Sequence, residues 1–243
     1  MNPETANFEM SIRSQYVRPQ YVEDTPPRQR VLEAAIELFA ARGFDAVTVR
    51  DITARAKTNL AAVNYYFESK ENLIRVVFKH VSHPINMLRL EKLSAYEDAH
   101  KEMPLEVEPI LRTLVEPVIR IMMEKSVLSD LAQIYAYCVM WPPSILTVAF
   151  EQGANDEMIT RYIDAFSRAM PGWAKEEIGW AFYFATGAIF TSTRDSKKNF
   201  HIRRVTNNKM NTSSSDVISE QLIRFLLPIF CQKRREPQQL EVS

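Results

Sequence analysis

Glycine is scarce in this sequence, with five residues in 243. Tight β-hairpins need glycine or asparagine at their turns, so this scarcity, with abundant Leu, Ala, Glu, Arg and Met, favours helices. The apolar fraction of 46% and the charged fraction of 25% are ordinary for a globular protein with its own core. We therefore predict an all-α fold.

Cysteine is also scarce, and Cys138 and Cys231 do not form the pattern of a disulfide framework. The first 24 residues are polar and lack the apolar core of a signal peptide. The most apolar run, residues 131–150, is interrupted by polar residues and two prolines, which makes it a poor membrane span. These features predict a cytoplasmic protein.

The motifs of several enzyme classes are missing. The sequence has no G-x-S-x-G, no P-loop and no glycine-rich dinucleotide fingerprint. His80 and His83 are three residues apart, with His100 further on, but a metal site would need a further acidic or cysteine ligand. We predict surface histidines and expect no enzyme activity, no metal and no cofactor.

The formal net charge is zero, so composition alone does not indicate a nucleic-acid binder. Counted locally, residues 26–80 carry nine Lys or Arg against six Asp or Glu. This mild excess favours nucleic-acid binding only if the cations lie on one face.

The first third of the chain has the signals of four short helices. Thr25, followed by two prolines, predicts the N-cap of the first helix. Gly43 is predicted to end it in the left-handed conformation, with Phe44 folding back as an apolar contact. Thr48 and Asp51 form a capping-box pattern for the second helix.

A polar turn, Lys57 to Asn59, precedes a third short helix that is predicted from about Leu60 to Phe67. Ser69 then caps a fourth helix. Two short helices joined by a tight turn, with a helix before them, are typical of a helix-turn-helix domain, in which the second helix of the motif enters the major groove of DNA.

A resemblance to the TetR family of bacterial transcriptional regulators runs from Pro26 to Leu73, and its matching segments are AAIELFAARGFDAVTVRDITARA and NLAAVNYYFESKENLI. The NLAAVNYYF segment further resembles the branch that includes regulators of fatty-acid metabolism. One departure is Lys57, where the family often has glycine. A left-handed turn there costs lysine more than glycine.

The resemblance implies DNA contacts at the positions of Thr48, Arg50, Tyr66 and Lys70. Small side chains at the start of the third helix would let its backbone approach the base edges, and amide and phenol groups there would reach bases or phosphates. Taken singly, Arg50 and Lys70 are equally compatible with solvated surface charges. The predicted DNA-binding surface is Thr48, Arg50, Lys57, Thr58, Asn59, Leu60, Ala61, Ala62, Asn64, Tyr65, Tyr66 and Lys70.

Beyond residue 105 no motif occurs, and the pattern predicts helices near residues 105–125, 127–150, 154–170, 173–194 and 216–231. The fourth of these has hardly any polar face, and a helix that is apolar all round is buried. Together with residues 158–170 it is predicted to form a four-helix homodimer interface, as the resemblance implies; the alternative is the core of its own domain. The predicted interface residues are Met158, Tyr162, Phe166, Trp180, Phe184, Gly187 and Ala188.

A ligand pocket is predicted in an apolar and aromatic stretch that two prolines interrupt, although such side chains also suit plain core. Its predicted lining is Tyr135, Cys138, Met140, Trp141, Ile145 and Phe150. In the TetR family the fourth helix links the ligand-binding body to the DNA-reading head. We expect Pro84 to bend or break this helix.

These expectations combine into an N-terminal three-helix helix-turn-helix DNA-binding domain followed by a helical ligand-binding and dimerisation domain. The predicted parts are a flexible arm (1–24), the DNA-binding domain (25–72), the effector-binding and dimerisation domain (73–232) and a polar tail (233–243). The predicted function is a homodimeric repressor that leaves a palindromic DNA operator when a small, apolar effector binds. The alternative is a DNA-tethered protein whose C-terminal helices form a protein-interaction or catalytic module.

Overall fold

A computed structural model of the protein describes residues 26–123, 134, 156–198, 205–207, 209–210 and 214–231. Over these residues the regular structure is helical and contains no strand, as the scarcity of glycine predicts. None of the helices in these ranges is both long and apolar enough to cross a membrane. The predicted N-terminal arm and C-terminal tail lie outside the described residues. So do all six residues predicted to line the ligand pocket: Tyr135, Cys138, Met140, Trp141, Ile145 and Phe150.

The described part of the chain forms eight helices. In chain order they are α1 (Pro27–Arg42), α2 (Val49–Arg55), α3 (Leu60–Phe67), α4 (Lys70–Ala99), α5 (Val107–Met123), α6 (Asp156–Ala169), α7 (Lys175–Lys198) and α8 (Ser215–Cys231). The chain divides into two compact units, and α4 passes from the first to the second between Asn86 and Met87. The domain boundary predicted after residue 72 stays a prediction.

The first unit is built on α1, α2 and α3, which pack on one another. Their apolar stripes meet in a core that includes the buried side chains of Phe39, Ile52, Val63 and Phe67, and the first half of α4 adds Phe78. Burial of each such side chain stabilises the fold by about 1.5–3 kcal/mol. The two shortest helices, α2 and α3, are therefore held by packing, since helices of about two turns are marginal alone.

The two ends of α1 agree only partly with the sequence pattern. The predicted N-cap Thr25 lies outside the described residues, and the N-cap position is Pro26, without a side-chain capping hydrogen bond. At the other end the N–H of Gly43, with φ +78°, donates to the carbonyl oxygen of Phe39 at 2.9 Å. The rings of Phe39 and Phe44 lie 4.8 Å apart, which confirms that the chain folds back there.

Helix α4 runs through Pro84 without interruption, so the helix does not break there. The expected bend stays a prediction. Proline removes one backbone donor from the helix. Val81, Ile85 and Leu88, on either side of it, are buried. We attribute the continuity of the helix to this packing, which holds both flanking turns.

One of the two histidines in the middle of α4 is less exposed than predicted. His83 is exposed, but His80 is half-buried, and burial lowers the pKa of His80, with Arg28 and His83 adding to the effect. Among the described residues no group of three or more His, Cys, Asp or Glu is arranged to hold a metal ion.

In the second unit α5 packs against α6, α7 and α8. An ion-pair cluster around Arg112 joins α5 to α8: its guanidinium donates to Glu108 at 2.7 Å, to Glu116 at 3.1 Å and to Glu220 of α8. These bonds raise the pKa of Arg112 and lower that of Glu220. Because the cluster is partly exposed, we expect it to fix the pairing of the helices more than to stabilise the unit.

Candidate DNA-binding and subunit-contact surfaces

The start of α2 is held by a complete capping box. The backbone N–H of Asp51 donates to Thr48 Oγ1 at 3.2 Å, while the N–H and hydroxyl of Thr48 donate to Asp51 Oδ2 at 2.8 and 2.6 Å. These bonds from Thr48, with a smaller contribution from Arg42, lower the pKa of Asp51. The hydroxyl proton of Thr48 is thus directed at Asp51, and its first role is that of a cap.

The turn between α2 and α3 is left-handed at Lys57. Lys57 adopts φ +50°, a conformation that costs a residue with a Cβ roughly 1–2 kcal/mol. The N–H of Thr58 donates to the carbonyl oxygen of Thr53 at 3.0 Å, which closes the end of α2. The side chain of Lys57 is exposed beside this turn.

Asn59 caps α3, because its Oδ1 accepts a hydrogen bond from the N–H of Ala62 at 3.0 Å. The helix then runs from Leu60 to Phe67, as predicted. Replacing such a cap by alanine costs about 1 kcal/mol. Asn59 is therefore a structural residue of the turn in addition to a predicted DNA contact.

Helix α3 has one buried face and one exposed face. Val63 and Phe67, four residues apart, are buried in the core of the first unit. The opposite face is exposed and includes Tyr65, with 80% of its surface accessible. The predicted contact residues that it presents are Leu60, Ala61, Asn64 and Tyr65, with Ala62 and Tyr66 at its margins.

The rings of Tyr65 and Tyr66 meet edge to face at 4.9 Å between centroids. This contact holds two phenol groups side by side at the edge of the exposed face of α3. Each ring has an apolar body and a polar tip, a combination suited to a sugar-phosphate backbone.

Lys70 has a partner inside the protein. Its Nζ donates to the carbonyl oxygen of Phe44 at 2.7 Å and so joins the start of α4 to the loop after α1. An ammonium group has three donors, so one such bond leaves two for another acceptor. The Oγ of Ser69 accepts from the N–H of Asn72 at 3.0 Å, which confirms the predicted cap of α4.

Glu68 joins α3 to α4 in a strained conformation, with φ +65° and ψ −46°. The N–H of Ser69 donates to the carbonyl oxygen of Phe67 at 2.7 Å, so these residues form a three-residue turn around Glu68. A non-glycine residue in such a region costs of order 1–3 kcal/mol. The sequence pattern did not indicate this turn.

Two arginines of α1 contact the ends of α2 and α3. Arg30 Nε donates to the carbonyl oxygen of Ala56 at 3.2 Å, and the Arg28 guanidinium lies 5.4 Å from the ring centroid of Phe67. By contrast, the side chains of Arg50 and Lys57 are exposed and form no hydrogen bond or ion pair with other described residues. They are the cations of this surface whose charge is fully available to a ligand.

The second candidate surface is aromatic and lies on α7. Trp180, Tyr183 and Phe184 are each more than half exposed. Their ring centroids lie 5.8–6.0 Å apart, so the three rings form one patch. Helix α7 buries Ile178, Ala185 and Ile189 on one side and presents this patch on the other.

Three of the predicted interface residues are wrongly placed by the sequence pattern. Met158, Tyr162 and Phe166 of α6 are buried inside their own unit. Helix α6 has a single apolar stripe, and its remaining faces carry charged residues such as Arg161 and Arg168. Because this stripe packs on α5 and α7, these three side chains are not available to a partner subunit.

Helix α8, which packs on α7, supplies exposed apolar residues that the sequence pattern did not single out. Phe225 is exposed, and it lines an open groove of about 730 Å³ with residues of α7, including Ala188. Of the residues predicted for the interface, Trp180, Phe184 and Gly187 are exposed and Ala188 is half-buried.

Comparison with known proteins gives matches over both units. The family described as "Bacterial regulatory proteins, tetR family" matches residues 31–77, and that described as "Tetracyclin repressor-like, C-terminal domain" matches residues 112–227. Together the two matches cover well over half of the chain.

Individual relatives match over shorter stretches. The chain is 35% identical over 98 residues to the HTH-type transcriptional repressor NicS of Pseudomonas putida, covering 39% of this chain and 45% of NicS. It is 34% identical over 77 residues to the HTH-type transcriptional regulator Mb3439c of Mycobacterium bovis, covering 32% of this chain and 36% of that protein. The chain thus spans less than half the length of these relatives.

A solved structure of a bacterial regulatory protein in the tetR family from Rhodococcus RHA1 aligns with a TM-score of 0.54 and 19% identity. The alignment covers 86% of this chain and 100% of that one. At this identity the likeness shows that the two proteins share a fold.

Proposed function

Because the chain belongs to the TetR family of bacterial regulatory proteins, we propose that it is a homodimeric transcriptional repressor that binds a palindromic operator through α3. The observation that carries this proposal is the composition of the exposed face of α3. This face presents apolar side chains and the amide of Asn64 to solvent and carries no charged residue. A surface helix with no role in recognition would expose mainly charged residues. Such a regulator acts in the cytoplasm, where bacterial DNA lies.

Base recognition is proposed to come from the first two turns of α3. The methyl groups of Ala61 and Ala62 and the side chain of Leu60 would contact thymine methyls, and Asn64 would pair with an adenine edge. Small side chains let the helix backbone come close to the bases. Direct reading of this kind is modest, because few donors point at the base edges.

Affinity is proposed to come from phosphate contacts around α3. The side chains of Arg50 and Lys57 have no partner within the described residues, and the ammonium group of Lys70 keeps two donors beyond its bond to Phe44. Tyr65 and Tyr66 add hydroxyl groups at the edge of the same face. Phosphate contacts make binding fall steeply with salt, so the salt dependence reports how many of these cations take part.

The aromatic patch of α7 is proposed as the centre of the dimer interface, with Phe225 of α8 taking the place that the sequence pattern assigned to α6. Exposed aromatic clusters of this kind mark protein contacts. Two copies of α3 would then read half-sites about 34–36 Å apart, or a multiple of that spacing. Dimerisation thereby supplies specificity that one short helix lacks.

A small, apolar effector is proposed to bind in the second unit and to lower the affinity for the operator. The residues predicted to line its pocket remain a hypothesis. By linkage, the factor by which the effector weakens operator binding equals the factor by which the operator weakens effector binding. Both factors can be measured on one preparation.

The test begins with selection of DNA from a random pool at low salt, followed by fluorescence anisotropy on the selected sequence. We expect a palindromic sequence, and we expect Arg50→Ala to weaken binding by about 1–3 kcal/mol, or to lower the salt slope by about 1 if the contact is to phosphate. Lys101→Ala is the matched control, since Lys101 is an exposed cation in the turn that follows α4, far along the chain from α3. Failure to select any DNA, or equal affinities for the Arg50 variant and the wild type, would refute the proposal.

A further inference from the structure

Arg89 is the largest fully buried side chain among the described residues, with 1% of its surface exposed. It lies on the part of α4 that belongs to the second unit. Its Nε donates to the carbonyl oxygen of Leu114 at 3.0 Å. Its Nη2 is buried and has no hydrogen-bond partner. A guanidinium group stays protonated in proteins, so the second unit contains a buried positive charge with an unused donor.

The neighbouring hydroxyl groups do not neutralise this charge. Tyr162 lies beside the backbone of Arg89: its hydroxyl donates to the Arg89 carbonyl oxygen at 3.3 Å and lies 3.1 Å from Thr113 Oγ1. Burial raises the pKa of Tyr162 to about 12, although Arg89 acts in the opposite direction. The phenol is therefore neutral at physiological pH.

Several carboxylates of the second unit form ion pairs with arginines other than Arg89. Glu97 accepts from Arg161 and Arg168 at 2.7 Å each. On α5 and α8, Glu108, Glu116 and Glu220 cluster around Arg112, and Asp216 pairs with Arg120. Among the described residues no carboxylate forms an ion pair with Arg89. A buried charge without a counter-charge is strongly unfavourable, so binding of an anionic ligand there would be favourable.

We propose that Arg89 binds the carboxylate of a small organic acid with an apolar body, and that this acid is the effector of the regulator proposed above. The inference therefore rests on that proposed function. Since Nε is occupied by Leu114, the acid would be held end-on by the two Nη groups, which match the two carboxylate oxygens.

The charge and the surroundings narrow the class of ligand. One guanidinium balances one carboxylate, whereas a phosphate dianion would keep an excess negative charge. Tyr162, whose hydroxyl donates to the Arg89 carbonyl oxygen, has its ring 6.4 Å from that of Phe166 and 6.2 Å from that of Phe182. The apolar body of the acid would lie against these aromatic side chains. Since Nη2 has almost no accessible surface, the acid enters by a local opening of the second unit.

The test compares acids with alcohols of the same size on the full-length protein. The probes are decanoate with decan-1-ol and benzoate with benzyl alcohol, measured by calorimetry and by the shift in melting temperature. We expect at least one acid to raise the melting temperature and to bind at least about tenfold more tightly than its alcohol, as a charge-assisted hydrogen bond predicts. If no acid of the panel binds, or if acid and alcohol bind equally, the proposal is overturned.

Two variants of Arg89 assign the effect to this residue. Arg89→Met keeps the length and removes the charge, so we expect it to lose the preference for the acid and to melt at a higher temperature than the wild type without ligand. Arg89→Lys keeps the positive charge but loses the paired N–H donors of the guanidinium, so we expect an intermediate affinity for the acid. If Arg89→Met does not fold, the affinity of Arg89→Lys tests whether Arg89 binds the acid. Arg168→Met, which removes an exposed arginine paired with Glu97, is the control and should bind the acid as the wild type does.

The outcomes separate this inference from the proposed function. Unchanged acid binding in Arg89→Met, or a lower melting temperature for that variant without ligand, would show that the charge already has a partner. Operator binding is measured on the same preparations. Operator binding with no acid binding overturns only the role of Arg89, and acid binding with no operator binding overturns only the proposed repressor.

Discussion

Removal of one exposed ring from α7 measures the contribution of the aromatic patch to subunit contact. In Trp180→Ala the change affects a side chain that is 58% exposed within the subunit. Folding of the isolated subunit should therefore change little. The association of two subunits should weaken, because each subunit loses the ring at the centre of its patch.

The expected size follows from the exposed area. An aromatic side chain buries about 150–250 Å² when fully covered, so the exposed part of Trp180 is of order 100–150 Å². At about 25 cal/mol per Å² this corresponds to roughly 2.5–4 kcal/mol per subunit if a partner covers it completely. With two rings per dimer and about half of that area covered, we expect a loss of about 3 kcal/mol, or about a 100-fold rise in the dimer dissociation constant.

Sedimentation velocity over a range of protein concentrations measures this constant, and circular dichroism checks that the helix content is retained. Met103→Ala is the matched control, because Met103 is 57% exposed but lies in the loop after α4, outside α7 and α8. The reasoning fails if the tryptophan variant dimerises as tightly as the wild type, or if the wild type is monomeric at micromolar concentration.

Two further predictions concern the DNA-binding head. We expect Asp51→Asn to destabilise the head near neutral pH, and we expect the difference from the wild type to vanish in acid. The pKa of Asp51 is lowered on folding, so the stabilisation that Asp51 contributes is present above the ordinary pKa of 3.8 and is lost as the pH falls towards the folded pKa. Urea unfolding between pH 2 and 7 measures this difference. A difference that does not vary with pH contradicts this. We expect Lys57→Gly to stabilise the protein by about 0.5–1 kcal/mol. Glycine adopts φ +50° without a Cβ clash, and this gain exceeds the cost of its greater conformational freedom in the unfolded chain. An unchanged or lower urea midpoint contradicts this prediction.

The sequence alone was sufficient where a hydrogen bond joins near neighbours. The capping box of Thr48 and Asp51 and the cap of Ser69 each span three residues, so their pattern can be read directly. The fold-back of Phe44 onto Phe39 is equally local. These short-range signals carry the family resemblance as well, since they set the bounds of the helices that form the motif.

Packing between distant residues had to be seen in the tertiary structure. An apolar stripe shows that a face is buried but does not show against what, so α6 was assigned to a partner subunit although it packs inside its own unit. Pro84 interrupts no helix, because burial on both sides of it outweighs one missing hydrogen bond. Rules based on the local sequence pattern include neither the packing partner of a helix nor the burial of the turns around a proline.

The sequence by itself determined the all-α class, the helix-turn-helix and the family, because caps, turns and apolar periodicity act over three to seven residues. The tertiary structure decided which aromatic residues of α7 remain exposed and which arginine is buried. Arg89 donates to a carbonyl 25 residues away, and Tyr162 donates to a carbonyl 73 residues away. Whether such a group is buried depends on helices that meet only after the chain has folded, and no local pattern contains that information.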